Sequence, residues 1–295
     1  MNWKQTLFWS FSAAAIFYYF LLFGVFVFVG QEEMQLFIPE WWYIREFLFQ
    51  PGGFCAVAGQ WIIQYYRQPM SAVVFHTVLL VGCGFMVYRI LRCFSDKTYL
   101  LFLSLLPVLY LVKMSIHGEY LVDGTVGVVL MLLALSVSLK VRRAGSIAGY
   151  GIASTLFLCG LTGLLSVCYA FLYTLLALLR YKTSRQRLAA SACLIPALFI
   201  YLFSGWLGIP VPLSDGWMPE AYLEIQRLPH YYMYRVWTFF TLSIVGVALF
   251  ARFVPVIGEK SKWMDRVALV VCLITVLVSL SLIHISEPTR LDVIS

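Results

Sequence analysis

Charged residues are scarce in this sequence. Only 12% of its 295 residues are charged, whereas 62% are hydrophobic and 17% are aromatic, and the mean hydropathy is +0.87. Soluble domains carry about 25% charged residues, so the composition excludes an ordinary water-soluble fold. Because lipid offers no hydrogen-bond partners to backbone groups, a chain this apolar is expected to be helical. The composition therefore predicts an all-α fold, a polytopic transmembrane helical bundle.

Clustered cysteines are also lacking. The seven cysteines lie mostly inside apolar runs and include no CxxC pair. A disulfide framework or a zinc site needs clustered partners outside the lipid, and the sequence contains none. We therefore interpret the thiols as small buried hydrophobic groups.

The common catalytic motifs are missing as well. There is no P-loop, GxGxxG, HExxH, GxSxG or EF-hand pattern. The formal net charge of +7 would suit a nucleic-acid partner, but the basic residues form short clusters between apolar runs. Such clusters orient a chain in a bilayer. We therefore expect the lipid bilayer as a partner and no nucleic acid.

Long apolar runs are what the sequence does contain. A bilayer core about 30 Å thick requires about 20 apolar helical residues. The run from 147 to 179 is too long for one span and is flanked by basic residues on both sides, which predicts two short spans hinged near Gly160 and Gly163. The sequence then predicts about nine spans. Their approximate ranges are 7–29, 70–91, 98–114, 121–139, 147–162, 163–179, 188–208, 236–254 and 266–283.

The basic clusters predict the orientation of these spans. A cytoplasmic N-terminus places every large cluster inside, in agreement with the positive-inside rule. We therefore predict a membrane protein with a cytoplasmic N-terminus and acidic extracytoplasmic loops. Residues 1–30 are predicted to be an uncleaved anchor, since their apolar run exceeds the usual signal-peptide core of about 7 to 15 residues. The inner cations include Arg89, Arg92, Lys97, Lys140, Arg142, Arg143, Arg180, Lys182, Arg185 and Arg187.

The first outer loop predicts two interfacial amphipathic helices. Residues 40–50 combine scattered polar positions with a wide aromatic face, which is typical of a helix at the headgroup level. Residues 51–53 are Pro-Gly-Gly and end this helix. A second helix over 54–68 carries a polar stripe that begins at Gln60. Simple packing of this pair against the bundle is the alternative interpretation.

The acidic residues of the outer loops are the candidate catalytic groups. Glu32 and Glu33 follow the first span, and Glu119 and Asp123 lie in the second outer loop beside His117. A carboxylate at the edge of the lipid is unfavourable unless it meets water, a cation or a donor. These acids are therefore functional candidates, although a short loop also needs polar residues to stay hydrated.

Two further features lie toward the C-terminus. Arg227 and Arg235 in the last outer loop are candidate ligands for an anionic lipid or phosphate, although arginine also extends to interfaces without a ligand. The stretch "LIHISEPTR" resembles the translated read-through of a sequencing adaptor. Residues 1–283 are therefore predicted to form the transmembrane domain. Residues 284–295 are predicted to be a non-native tail that replaces the natural C-terminus.

The order of these features resembles the multi-pass C-type glycosyltransferases that use polyprenyl-linked sugars. The matching features are an acidic pair at the outer end of the first span and a long first outer loop with two amphipathic helices. The resemblance implies that Glu32 or Glu33 is a base or metal partner, assisted by Glu119 or Asp123. A divalent cation and a polyprenyl-linked sugar are the implied ligands. This sequence has Glu-Glu where those enzymes usually carry at least one Asp.

A second resemblance is closer but implies no activity. "QEEMQLF", "PGGF" and "QYYRQP" are similar to an uncharacterised family of bacterial inner-membrane proteins. Two other functions therefore stay open. A non-catalytic scaffold or assembly protein would tolerate loss of the acids, and a transporter or flippase would need a polar path past mid-membrane.

Overall fold

The computed structural model describes residues 3–34, 37–117, 120–204 and 228–253, and residue 270. Within these ranges the chain is helical and contains no β-strand, which confirms the predicted all-α class. The helices are α1 Trp3–Phe23, α2 Val25–Met34, α3 Trp41–Leu48, α4 Gly53–Ile63, α5 Pro69–Leu91, α6 Leu100–Leu103, α7 Leu105–Met114, α8 Val122–Ser138, α9 Ala144–Thr162, α10 Leu165–Arg180, α11 Ser184–Ser191, α12 Leu194–Leu202 and α13 Leu228–Phe253. A short 3₁₀ helix, Gln64–Arg67, follows α4.

Helix α8 is central to the bundle. It packs against α4, α5, α9 and α10, while α5 also packs against α1 and α7, and α10 also packs against α13. Glycines on α8 permit close approach: a Cβ on Gly127 would lie 3.0 Å from Leu165 Cδ2. Small residues at a helix contact let the two backbones approach closely.

Three helices are long and apolar enough to cross a membrane, by length and composition. They are Gln5–Phe23 of α1, Pro69–Leu91 and Ala144–Thr162. The shorter apolar helices span Leu100–Met114, Val122–Ser138, Leu165–Arg180 and Val236–Arg252. The count of nine spans stays a prediction. Except for residue 270, the predicted span 266–283 lies outside the described residues.

Prolines explain two interruptions in the predicted spans. The break between α6 and α7 comes at Ser104, and the break between α11 and α12 comes at residues 192–193. Pro107 and Pro196 follow these breaks by three or four positions. Proline lacks an N–H, and its ring crowds the carbonyl four residues earlier, so each helix is interrupted there.

Helices α3 and α4 form the predicted pair in the first loop, but they differ in burial. No residue of α3 is buried. In contrast, α4 buries one face, which includes Cys55, Gly59 and Ile63, against the bundle. Gln60, on the polar stripe of α4, is turned toward α3: its Oε1 accepts a hydrogen bond from the Tyr43 hydroxyl at 3.1 Å. The packing alternative describes α4, which lays one face against the bundle, and the interfacial position of the pair stays a prediction.

The turn between α3 and α4 is fastened to the turn between α9 and α10. Gly52 has φ +85° and donates its N–H to the Gly160 carbonyl at 3.1 Å. Gly163, with φ +61°, lies against it and separates α9 from α10. Only glycine adopts such φ values readily. The backbone bond therefore holds the α3–α4 pair in a fixed position on the bundle.

Candidate functional site

The C-terminal end of α2 and the segment before α8 are joined by a buried hydrogen bond. Gln31 is 1% exposed, and its Nε2 donates to the Tyr120 carbonyl at 3.0 Å. Gln31 directly precedes Glu32, and Tyr120 lies three residues before Asp123. The two acid-bearing segments therefore meet at one end of the bundle. We call the group Gln31, Glu32, Tyr120 and Asp123 the acidic end.

Tyr120 anchors this junction. Its side chain is fully buried, and Thr125 Oγ1 donates to its hydroxyl oxygen at 3.2 Å. Burial raises the pKa of Tyr120, the Thr125 bond lowers it, and the charge of Asp123 raises it again. The phenol therefore stays neutral at physiological pH and fills the space between the two segments.

Asp123 lies in the first turn of α8. Its Oδ1 accepts a hydrogen bond from the Gly124 N–H at 2.6 Å. A negative charge at this position is stabilised by the positive end of the helix dipole. Asp123 as a whole is half-buried. The same arrangement suits either a structural role at the helix terminus or a catalytic carboxylate.

Gly59 of α4 packs directly on Asp123. A Cβ at Gly59 would lie 2.7 Å from Asp123 Cβ and 2.9 Å from its Cα and backbone N. Cys55, one turn earlier on α4, is also buried. Burial raises the pKa of its thiol, and the charge of Asp123 raises it further. Both effects favour the protonated thiol, which is the less reactive form.

The predicted site residues are described to different extents. Glu32 is half-buried at the end of α2, and Asp123 is placed as above. The side chain of Glu33 and the whole of Glu119 lie outside the described residues, as do Arg227 and the side chain of Arg235. In the described part of the chain, no three His, Cys, Asp or Glu residues are grouped so as to hold a metal ion. The roles of these residues stay predictions.

Sequence reasoning missed Gln31 and Tyr120. Gln31 ends a long apolar run, and a buried amide there needs a partner. Its Nε2 has one, whereas its Oε1 has none within the described residues. The position of Gln31 at the end of an apolar run could have indicated a buried hydrogen bond. Nothing in the sequence identifies the Tyr120 carbonyl as its partner.

His76 was the other ionisable group noted inside a span, and it has a structural explanation. It is fully buried, its Nε2 lies 2.7 Å from the Tyr66 hydroxyl, and its ring stacks on Phe28 with centroids 4.3 Å apart. A hydrogen-bonded histidine within an aromatic cluster does not form a polar path. The structure around His76 therefore gives no support to the transporter alternative.

An open cleft of about 410 Å³ lies against α3. It is lined by Trp41, Trp42, Arg45, Glu46 and Phe49. Arg45 lies over the Phe49 ring, with its Cζ 5.7 Å from the ring centroid. Glu32 and Asp123, the two predicted catalytic acids whose side chains the structure describes, do not line this cleft.

Comparisons with known proteins give one match. No curated protein and no solved structure matches the chain. A family model, described as a family of unknown function (DUF6057), matches residues 1–288. The match covers nearly the whole chain, including the acidic end and part of the tail interpreted as adaptor read-through. The chain therefore belongs to DUF6057, a family of unknown function.

Proposed function

We propose that this chain is a multi-pass protein of the bacterial inner membrane whose acidic end faces the extracytoplasmic side. The surface of its long helices supports this placement. Phe11 on α1 is 74% exposed, Val78 on α5 is 64% exposed and Phe157 on α9 is 68% exposed. Water-soluble proteins rarely expose apolar side chains along whole helices, whereas lipid solvates them.

We further propose that the acidic end acts on a polyprenyl-linked sugar, in the manner of the C-type glycosyltransferases. The observation that carries this proposal is the Gln31–Tyr120 hydrogen bond, because it joins the segment of Glu32 to the segment of Asp123. Two carboxylates near the lipid surface suit a soluble acceptor and a membrane-held donor.

The proposed reaction uses one carboxylate as a general base. It removes the proton from the acceptor hydroxyl, the oxygen attacks the anomeric carbon of the sugar, and the bond to the polyprenyl phosphate breaks. The leaving phosphate departs with the electron pair of that bond, and an arginine, or a divalent cation if the outer carboxylates hold one, would supply the charge that neutralises it. Glu32 or Glu33 is the proposed base, with Glu119 or Asp123 as its partner.

The test uses the full chain in lipid vesicles that contain an undecaprenyl-phosphate-linked sugar. Release of undecaprenyl phosphate is measured with MgCl₂, with MnCl₂ and with EDTA, across a panel of soluble sugar acceptors. E32Q and D123N are expected to slow release about 100-fold or more, since loss of a general base typically has that effect. E46Q, which removes an exposed acid on α3, is the matched control. Undiminished turnover in both acid variants would refute the catalytic roles of Glu32 and Asp123, and no release with any acceptor would refute this substrate class.

A non-catalytic scaffold is the second candidate. The close contact between Gly59 and Asp123 favours it, because the carboxylate then serves to terminate α8 and to fit against α4. Under this alternative, D123N retains function in the cell because asparagine preserves the terminal hydrogen bond. Loss of function in D123N with unchanged thermal stability would exclude the scaffold alternative for this residue.

The orientation has its own experiment. In a C93S background, which removes an exposed thiol, cysteine is introduced as E40C or R142C and probed in intact cells with an impermeant maleimide. We expect E40C to react at once and R142C to react only after permeabilisation. The reverse pattern would overturn the proposed sidedness.

A further inference from the structure

Seven cations are gathered around two loops at the other end of α8. No acidic residue occurs in either loop region, 139–146 or 180–191. Six of the seven side chains are exposed, and that of Arg180 is half-buried. We call this group the basic end. It consists of Lys140, Arg142, Arg143, Arg180, Lys182, Arg185 and Arg187.

Hydrogen bonds hold the two loops of the basic end together. The Tyr181 hydroxyl donates to the Val141 carbonyl at 2.7 Å, and Gln186 Nε2 donates to the Arg142 carbonyl at 2.7 Å. Arg187 Nε donates to the Tyr181 carbonyl at 2.8 Å, which closes the second loop on itself. The cations therefore form one fixed surface and are not spread over independent flexible loops.

Arg180 lacks a complete set of partners. Its Nη1 is buried and has no hydrogen-bond partner within the described residues. The positive charge of Arg180 acts on the neighbouring Tyr181. Burial raises the pKa of Tyr181, and Arg180 lowers it. Arg180 makes no ion pair with a carboxylate of the described residues. A shielded guanidinium without such a partner is unfavourable unless an external anion approaches it.

Exposed apolar side chains follow these cations along the chain. Leu188 on α11 is 75% exposed, and Ile195 on α12 is 72% exposed. A soluble polyanion such as RNA would meet only the charges and would leave these groups in water. A phospholipid satisfies both, because its phosphate meets the cations while its acyl chains cover the apolar groups.

We propose that the basic end is a binding surface for anionic phospholipid headgroups, such as phosphatidylglycerol, in the adjoining leaflet. This inference rests on the membrane placement proposed above and is independent of the glycosyltransferase chemistry. Each arginine near an anionic lipid surface contributes enough attraction to change affinity about fivefold.

The test measures binding of fluorescent short-chain phosphatidylglycerol and phosphatidylcholine to the full chain in neutral detergent. Wild type is expected to bind phosphatidylglycerol several-fold more tightly, with the preference reduced by NaCl. R142Q/R185Q is expected to weaken binding of phosphatidylglycerol about fivefold per arginine and to leave phosphatidylcholine unchanged. Neither side chain makes a hydrogen bond among those described above, so the fold should persist.

Two matched variants separate a local effect from loss of net charge. R45Q/R67Q removes two exposed arginines outside the basic end and should leave both affinities within about twofold. R142K/R185K keeps the charge and should restore binding of phosphatidylglycerol.

Three results would overturn the proposal. They are equal affinities for the two lipids, an unchanged R142Q/R185Q variant, or full displacement of phosphatidylglycerol by an equal concentration of inorganic phosphate. A chain that stays in solution without detergent and binds neither lipid would instead refute the membrane placement itself.

Discussion

The two ends of α8 are held by the same kind of bond but carry opposite chemistry. At the acidic end Gln31 donates to the Tyr120 carbonyl, and at the basic end Tyr181 donates to the Val141 carbonyl. The first bond is buried beside a tight helix contact, whereas the second lies beneath exposed cations. Steric fit therefore dominates the energetics of the acidic end, while charge and solvent dominate at the basic end. Substitutions should accordingly have larger effects on stability at the acidic end.

The largest effect is expected for Gly59→Ala. The added Cβ would lie 2.7 Å from Asp123 Cβ, and neither helix backbone can move freely. We expect the free energy of unfolding to fall by about 3 kcal/mol, at the upper end of what overpacking produces. Thermal unfolding in detergent measures the change as a fall in Tm.

Gly82→Ala is the matched control for this change. Gly82 lies within α5, and no atom would lie within 4 Å of an added Cβ. This variant should be neutral or slightly more stable, because alanine favours the helix. Equal Tm values for the two variants would mean that the contact between α4 and α8 is not tight.

A somewhat smaller effect is expected for Gln31→Ala. The change removes the donor and leaves the buried Tyr120 carbonyl without this bond, which costs about 2 kcal/mol. Gln186→Ala removes an equivalent amide from the exposed basic end, where water replaces it, and should cost about 0.5 kcal/mol or less. Chemical unfolding of both variants compares the two ends directly. A larger loss in Gln186→Ala would reverse the comparison.

Tyr181→Phe should fall between these values. It removes one partly buried hydroxyl bond between the loops of the basic end, for a loss of about 1 kcal/mol. The readout is again the Tm in detergent. If the variant binds phosphatidylglycerol as tightly as wild type does, then the arrangement of the cations does not depend on this bond.

Alkaline titration should distinguish Tyr120 at the acidic end from Tyr181 at the basic end, and its effect on stability is expected to be the smallest of those considered. Burial raises the pKa of both phenols, but Asp123 raises that of Tyr120 further, whereas Arg180 lowers that of Tyr181. The folded-state pKa values therefore exceed the unfolded value of about 10. Stability from the neutral phenols is complete below about pH 10 and is lost as the pH rises through the folded values.

The order of ionisation is the measurable consequence. Tyr181 should ionise at lower pH than Tyr120, as followed by the ultraviolet absorbance of phenolate in wild type, Y120F and Y181F. Subtracting the absorbance of each variant from that of wild type isolates one phenolate from the other tyrosines, and the wild-type minus Y181F difference should develop at lower pH than the wild-type minus Y120F difference. The reverse order would contradict the electrostatic difference between the ends.

Local patterns in the sequence predicted most of the helical elements. The break in the 147–179 run follows from basic residues at both ends, and the structure places Gly163 there with φ +61°. The predicted helix over 40–50 is found as Trp41–Leu48. Signals of this kind act over a few residues, so they can be read from the chain alone.

Long-range contacts could not be predicted in the same way. The polar stripe that begins at Gln60 suggested an interfacial helix, yet the opposite face of α4 carries Gly59 into contact with Asp123. The partner of Gln31 is a backbone carbonyl 89 residues away, and every residue has such a carbonyl. Sequence patterns therefore identified the candidate acids but not the residues that contact the segments carrying them.

By itself, the sequence determined an all-helical chain with long apolar segments and with most of its acidic and most of its basic residues in different loops. Composition and periodicity suffice for this, because a helix satisfies its own backbone within one segment. Only the tertiary structure decided that Gln31 meets Tyr120, that α4 enters the bundle and that two basic loops form one surface. Those outcomes depend on the fit of particular side chains between helices, which no local pattern encodes.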